Sequence, residues 1–196
     1  LTVEGVVGVQ PRVIEFGIIP NKSDGSAAIA NRGPNIGVNW EETALNPRLY
    51  ISEGRPPTAI TEFAVDTDTA LDDDFVVGQT YALQTPSGLR EVLLVGTFNF
   101  ADPEENADVG AMIVAMSTNA SVEFFNAGIG FDDITLSVEA GFDQTGVSEN
   151  IENILPTGLE VVKVEDLVEE QADNFNEFID IFRTILLVFA FIILIV

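Results

Sequence analysis

The chain has 196 residues, 46% of them hydrophobic, which is enough for one substantial core or two small ones sharing an interface. Its 32 acids against 8 bases give a formal net charge of −24, which repels phosphate backbones and anionic lipid surfaces and excludes nucleic acid as a partner. Cysteine and histidine are both absent, and with them go disulfide scaffolds, thiol chemistry, imidazole-based triads and the common zinc sites.

Taken from the N-terminus, Val6, Val7, Val9, Val13, Ile14, Phe16, Ile18 and Ile19 are β-favouring residues bounded by Gly5, Pro11, Pro20 and Gly25. Val13 to Ile19 is the stretch best suited to pair with strands near the other end of the chain. Trp40 follows Ile36-Gly37-Val38-Asn39 and reads as a core or junction residue rather than a ligand platform.

From Glu53 to Phe131 the pattern is a run of short strands: Thr61 to Asp66, Gln79 to Thr85, Arg90 to Phe100 and Ala111 to Met116. Pro86-Ser87-Gly88 separates two of them and predicts an antiparallel hairpin. Asp102 to Asp108 is a polar loop, and Thr118 to Asn126 predicts a short helix that packs Val122, Phe124 and Phe125. The acids Asp66, Asp68, Asp72, Asp73 and Asp74 are dense enough to suggest a hard cation. Counting Asp66 as position one, however, places no Gly at the sixth position and Val77 at the twelfth, so the calcium-loop pattern fails. A solvated turn and helix start is the better reading. No phosphate-binding loop of the GxxxxGK[ST] type is present.

Asp133 to Glu139 then alternates Ile134, Leu136 and Val138 on one face, and Val147 to Leu155 has helical spacing with Asp143 or Thr145 as its cap. Pro156 and Gly158 stop that helix, and Val161, Val162 and Val164 predict a second strand, completing a βαβ unit.

A last helix is expected from Glu165 onward. Its apolar positions Val168, Ala172, Phe175, Ile179, Phe182 and Leu186 step by 4, 3, 4, 3 and 4, a stripe along one helix face. Such a stripe suits a helix lying on its own domain or a stalk packing on a partner helix. Ile185, Leu186, Leu187, Val188, Phe189, Ala190, Phe191, Ile192, Ile193, Leu194, Ile195 and Val196 are all apolar. Twelve residues of helix reach only about 18 Å into a hydrocarbon core of about 30 Å, so the expectation is the first part of a transmembrane helix in a longer protein. Neither Gly nor Pro interrupts Val164 to Val196, so displacement at the membrane end should be transmitted rather than absorbed. The flank Val164 to Asp180 has seven acids and no base and Arg183 is the one base near the span, so the positive-inside tendency places the domain on the extracytoplasmic side.

Taken together and in order, several segments resemble the extracytoplasmic domain of FtsX-like ABC transporter permeases of the MacB type. They are Val3-Glu4-Gly5-Val6-Val7-Gly8-Val9 with Pro11, then Glu53-Gly54-Arg55-Pro56-Pro57, and Glu62 to Ala70 with Val77-Gly78 after it. Arg90-Glu91-Val92-Leu93-Leu94-Val95-Gly96-Thr97-Phe98, the βαβ pattern and the helix from Phe182 complete the set.

The resemblance implies an α+β fold: a porter-like α/β subdomain built from both chain ends (1–52 and 132–164), an inserted β-rich lobe (53–131), a stalk helix (165–183) and a truncated transmembrane helix (184–196). It also implies a non-enzymatic part of a dimeric permease in the cell membrane, with no cofactor of its own. ATP would be hydrolysed by a partner ABC ATPase, and a periplasmic or extracellular protein could meet the domain outside. Val168, Ala172, Phe175, Ile179 and Phe182 are the residues expected to carry the coupling. The rival readings are a single-span adhesion or sensor module and a surface hydrolase using the acidic clusters.

Overall fold

The computed structural model describes residues 3–30, 32–40, 49–100, 110–126, 128–166 and 179. The chain forms two compact units, one of Leu1–Gly5 with Ala140–Val196 and one of Val6–Glu139. The class is mixed α+β; among the described residues there are ten strands and three complete helices, with helical residues again at 164–166 and 179.

In the larger unit, β1 (Val6–Arg12) and β10 (Asp133–Val138) form an antiparallel two-stranded ribbon, with Val6 opposite Val138 and Arg12 opposite Asp133. Arg12 and Asp133 close one end through an ion pair. This pairing corrects the expected one. Val13 to Ile19 does not join the C-terminal strand, because it splits into β2 (Ile14–Phe16) and β3 (Ile19–Pro20), which belong to a second sheet.

That sheet has eight strands. Its remaining members are β4 (Asn35–Trp40), β5 (Leu49–Gly54), β6 (Glu62–Asp66), β7 (Thr80–Thr85), β8 (Gly88–Phe100) and β9 (Met112–Ser117). The order is β2-β4-β9-β6-β8-β7-β3, with β5 paired to β8 as well. Strands from before and after residue 53 share it, since β4 lies parallel to β9. β7 and β8 make the hairpin expected at Pro86-Ser87, with Thr85 opposite Gly88.

Alternation along β6 and β9 sorts side chains to two faces. Phe63 and Val65 of β6, with Met112, Val114 and Met116 of β9, enter the larger core, which also takes Val13, Ile18, Leu83, Leu94, Phe124 and Phe125. Their neighbours Ala64, Ile113 and Ala115 enter a smaller core with Trp40 and Phe98. Trp40 is therefore a core residue, set edge-on to Phe98 with ring centroids 5.9 Å apart. Helix α2 (Thr118–Phe124) supplies Ala120 and Phe124 to the larger core, and α1 (Thr67–Asp72) supplies Ala70.

β4 breaks the usual apolar alternation. On the larger-core side it presents Asn35, Gly37 and Asn39. Asn39 Oδ1 accepts from the Val13 amide at 2.8 Å, and its Nδ2 donates to the Pro11 carbonyl at 3.0 Å. Asn35 does the same for the next crossing, accepting from the Ala30 amide and donating to the Ala28 carbonyl, both at 3.0 Å. Between them, a Cβ on Gly37 would stand 2.5 Å from Ile18 Cγ1 and 2.8 Å from Phe125 Cε2. Only hydrogen fits there.

In the smaller unit, α3 (Gln144–Glu152) starts on Asp143, whose carboxylate accepts from the Thr145 amide at 3.1 Å. Val147 and Ile151 are its buried face. The second strand expected at Val161, Val162 and Val164 does not form. Residues 159–163 carry no strand and helix begins at Val164, with Leu159, Val162 and Val164 exposed. β-favouring side chains alone do not make a strand where no ladder is offered, since β propensity reports packing against neighbours.

Candidate functional site

The coupling stripe has one described member. Ile179 is helical and 44% exposed; Val168, Ala172, Phe175 and Phe182 lie outside the described residues. The apolar run Ile185 to Val196 lies outside them too, and among the described residues no helix is long and apolar enough to cross a membrane.

Two members of the acidic cluster, Asp66 and Asp73, are taken up in capping and pairing. Asp66 ends β6 and caps α1: its Oδ1 accepts from the Thr69 amide and its Oδ2 from the Ile113 amide at the start of β9, each at 2.8 Å. Burial pushes its pKa up, against the pull of those two N–H donors. Asp73 follows α1 and forms an ion pair with Lys22, whose pKa the contact raises. Among the described residues no group of three or more carboxylates is placed to hold a metal ion.

The densest polar constellation sits elsewhere, on the crossover from β5 to β6. Glu62 opens β6 and is buried, yet its two oxygens receive five donors. Arg55 Nη1 and Nη2 donate at 2.8 and 2.5 Å, the amides of Thr58 and Ala59 at 3.0 and 3.1 Å, and the Thr58 hydroxyl at 3.3 Å. The Arg55 hydrogen bonds are the largest cause of a carboxyl held far below the usual range, reinforced by the two amides and opposed by burial. The loop is drawn tight against β8. At Gly54, where φ is +75°, a Cβ would lie 2.2 Å from the Val95 carbonyl oxygen; at Gly96, 2.5 Å from that of Arg55.

Arg55 and Glu62 both fall in segments that carried the family resemblance, but neither was read as a site residue. The signal was a lone acid at the head of the apolar run Phe63-Ala64-Val65, seven residues after the nearest base. Such an acid needs a partner when the strand is buried. The clasp holds a loop in place. Among the described residues its donors and acceptors are spent on one another, which suits a scaffold rather than a reacting centre.

No protein-family model matches the chain. No curated protein sequence matches it. Solved structures do. A "domain of a putative Permease protein" from Porphyromonas gingivalis matches at a TM-score of 0.53 and 11% identity, over 85% of this chain and 83% of that one. The periplasmic region of MacB from Actinobacillus actinomycetemcomitans matches at a TM-score of 0.53 and 13% identity, over 87% of this chain and 78% of that one. The chain thus has the fold of the periplasmic region of MacB and of that permease domain.

Proposed function

We propose that this chain is the extracytoplasmic domain of an FtsX/MacB-like ABC transporter permease, a mechanical and partner-contacting part rather than an enzyme. The observation that carries the reading is the fold shared with the periplasmic region of MacB. The antiparallel pairing of β1 with β10 supports it, because it sets the beginning and end of the larger unit side by side, as a domain inserted between two membrane helices requires. In this reading Ile185 to Val196 enters the membrane, and residues 165–183 form the stalk. Val168, Ala172, Phe175, Ile179 and Phe182 pass motion outward from a cytoplasmic ABC ATPase that binds the ATP. Two permease subunits, alike or different, share that ATPase.

Affinity purification of the full-length protein from its native membranes is expected to bring an ABC ATPase with it. In that complex, replacing Phe175 and Ile179 with Asp should abolish transport-coupled ATP hydrolysis while circular dichroism stays unchanged. Purification without an ATPase, or full coupling in the double variant, overturns the reading.

A further inference from the structure

A two-stranded ribbon is marginal by itself in water, so its free faces and edges are informative. In β1 and β10, Val9 stands opposite Leu136 and Pro11 opposite Ile134. Residues directly opposed in an antiparallel pair project to the same side. That side is apolar and open: Val9 is 58% exposed and Ile134 53%, with Pro11 and Leu136 half-buried beside them. Val7, at the irregularity where the register shifts between Val6 and Gly8, is 64% exposed as well.

The two outer edges differ. β1 contains Pro11, which has no N–H to offer and blunts that edge. β10, Asp-Ile-Thr-Leu-Ser-Val, has no proline, and among the described residues no second strand is hydrogen-bonded to it. Charge frames the same strand. Val6 to Glu15 and Phe131 to Glu139 hold the acids Glu15, Asp132, Asp133 and Glu139 against one base, Arg12, which is already ion-paired to Asp133.

We propose that the outer edge of β10, with the apolar face of Val9, Ile134 and Leu136, is a docking surface for an extended segment of a partner protein in which apolar residues alternate with Lys or Arg. The segment adds to β10 by main-chain hydrogen bonds, and every second side chain extends the apolar face. Its bases project to the other side, that of Glu139, within the net negative charge that remains once Arg12 is paired with Asp133; Asp132, whose carboxylate accepts from the Ile14 amide at 2.7 Å, stands just before the strand. Charge decides against a second copy as the occupant. Antiparallel β10-to-β10 pairing would set Asp132 and Asp133 of each copy beside Glu139 of the other, between two bodies of net charge −24. This inference goes beyond the transporter reading, and its test needs neither membrane nor ATPase.

The test is fluorescence anisotropy of a labelled, end-capped Leu-Lys-Leu-Lys-Leu-Lys-Leu peptide titrated with the full chain. Saturable binding is expected, weakened severalfold when salt is raised to about 0.5 M. The matched Leu-Glu peptide should not bind. Val9→Lys with Ile134→Lys should raise Kd at least about tenfold, which corresponds to ~1.4 kcal/mol. If circular dichroism shows that pair misfolded, Val9→Thr with Ile134→Thr removes apolar surface while keeping the branching that strands favour, and a severalfold loss is expected. Equal binding by the folded variants, equal binding of the Leu-Glu peptide, or a concentration-dependent dimer abolished by the Val9→Lys change overturns the proposal.

Discussion

Arg55 and Glu62 clasp each other through two parallel hydrogen bonds, one guanidinium nitrogen to each carboxylate oxygen, across a loop whose own amides complete the carboxylate's shell. Replacing Glu62 with Gln removes the charge and leaves Arg55 without its partner. The expected loss is about 2 kcal/mol, below the full cost of breaking a buried pair because half of the Arg55 side chain faces solvent. The pH dependence has a definite sign. Glu62 has a lowered pKa in the folded state, so its contribution is fully present above the ordinary value of 4.5 and is lost as pH falls from there toward the folded value. Urea unfolding of wild type and Glu62→Gln from pH 7 downward should show the gap narrowing below about 4.5.

Asp66, at the other end of β6, should behave in the opposite sense. Its pKa is raised by burial, so its contribution is fully present below the ordinary value of 3.8 and declines as pH rises through the folded value. Asp66→Ala strips the cap from α1 and leaves the Ile113 amide without its acceptor, costing about 2 kcal/mol. The same titration series should show the wild-type advantage over Asp66→Ala widening toward acid.

Asn39 ties the Val13 amide and the Pro11 carbonyl to β4. Asn39→Leu fits apolar surroundings yet orphans a buried N–H, and a loss of about 2 kcal/mol is expected. Hydrogen exchange reports it directly. The Val13 amide should lose protection while amides of β6 keep theirs, relative to the remaining global stability.

Gly37→Ala tests whether the β4 face is filled. The added methyl meets Ile18 and Phe125 well inside contact distance, so overpacking of about 1 to 3 kcal/mol is expected. Pairing it with Ile18→Ala, which removes the Cγ1 that the methyl meets, should give a loss smaller than the sum of the two in a double-mutant cycle, and strict additivity would show that the two do not share the space.

Strands with β-favouring composition were legible in the sequence. The readings around β6, β7, β8 and β9, the Pro86-Ser87 turn, and the short helices after Ser117 and Asp143 all match elements seen, within a few residues. β4 was not legible, because its inward positions are Asn, Gly and Asn, residues whose propensities argue for a turn. They work in a strand because distant backbone at Val13 and Ala30 supplies their hydrogen bonds, a long-range fact that no local window contains. The reverse error fell on Val161 to Val164, where good β residues meet no ladder. The acidic run was read as a solvated turn and helix start; the turn and the helix start are there, while Asp66 is half-buried as the helix cap. The Arg55–Glu62 clasp needed the crossover geometry before its two halves could be seen as one feature.

β8 settles the order in which this molecule can be put together. β5 and β7 lie along one flank of it and β6 along the other, and all three precede it in the chain. Among the described residues β5 pairs with no other strand, and β7 has besides only the two residues of β3. A nascent chain therefore carries three strands with hungry edges until residue 100 has emerged, and a chaperone or a rapid exit of that one long segment governs whether they find it or each other.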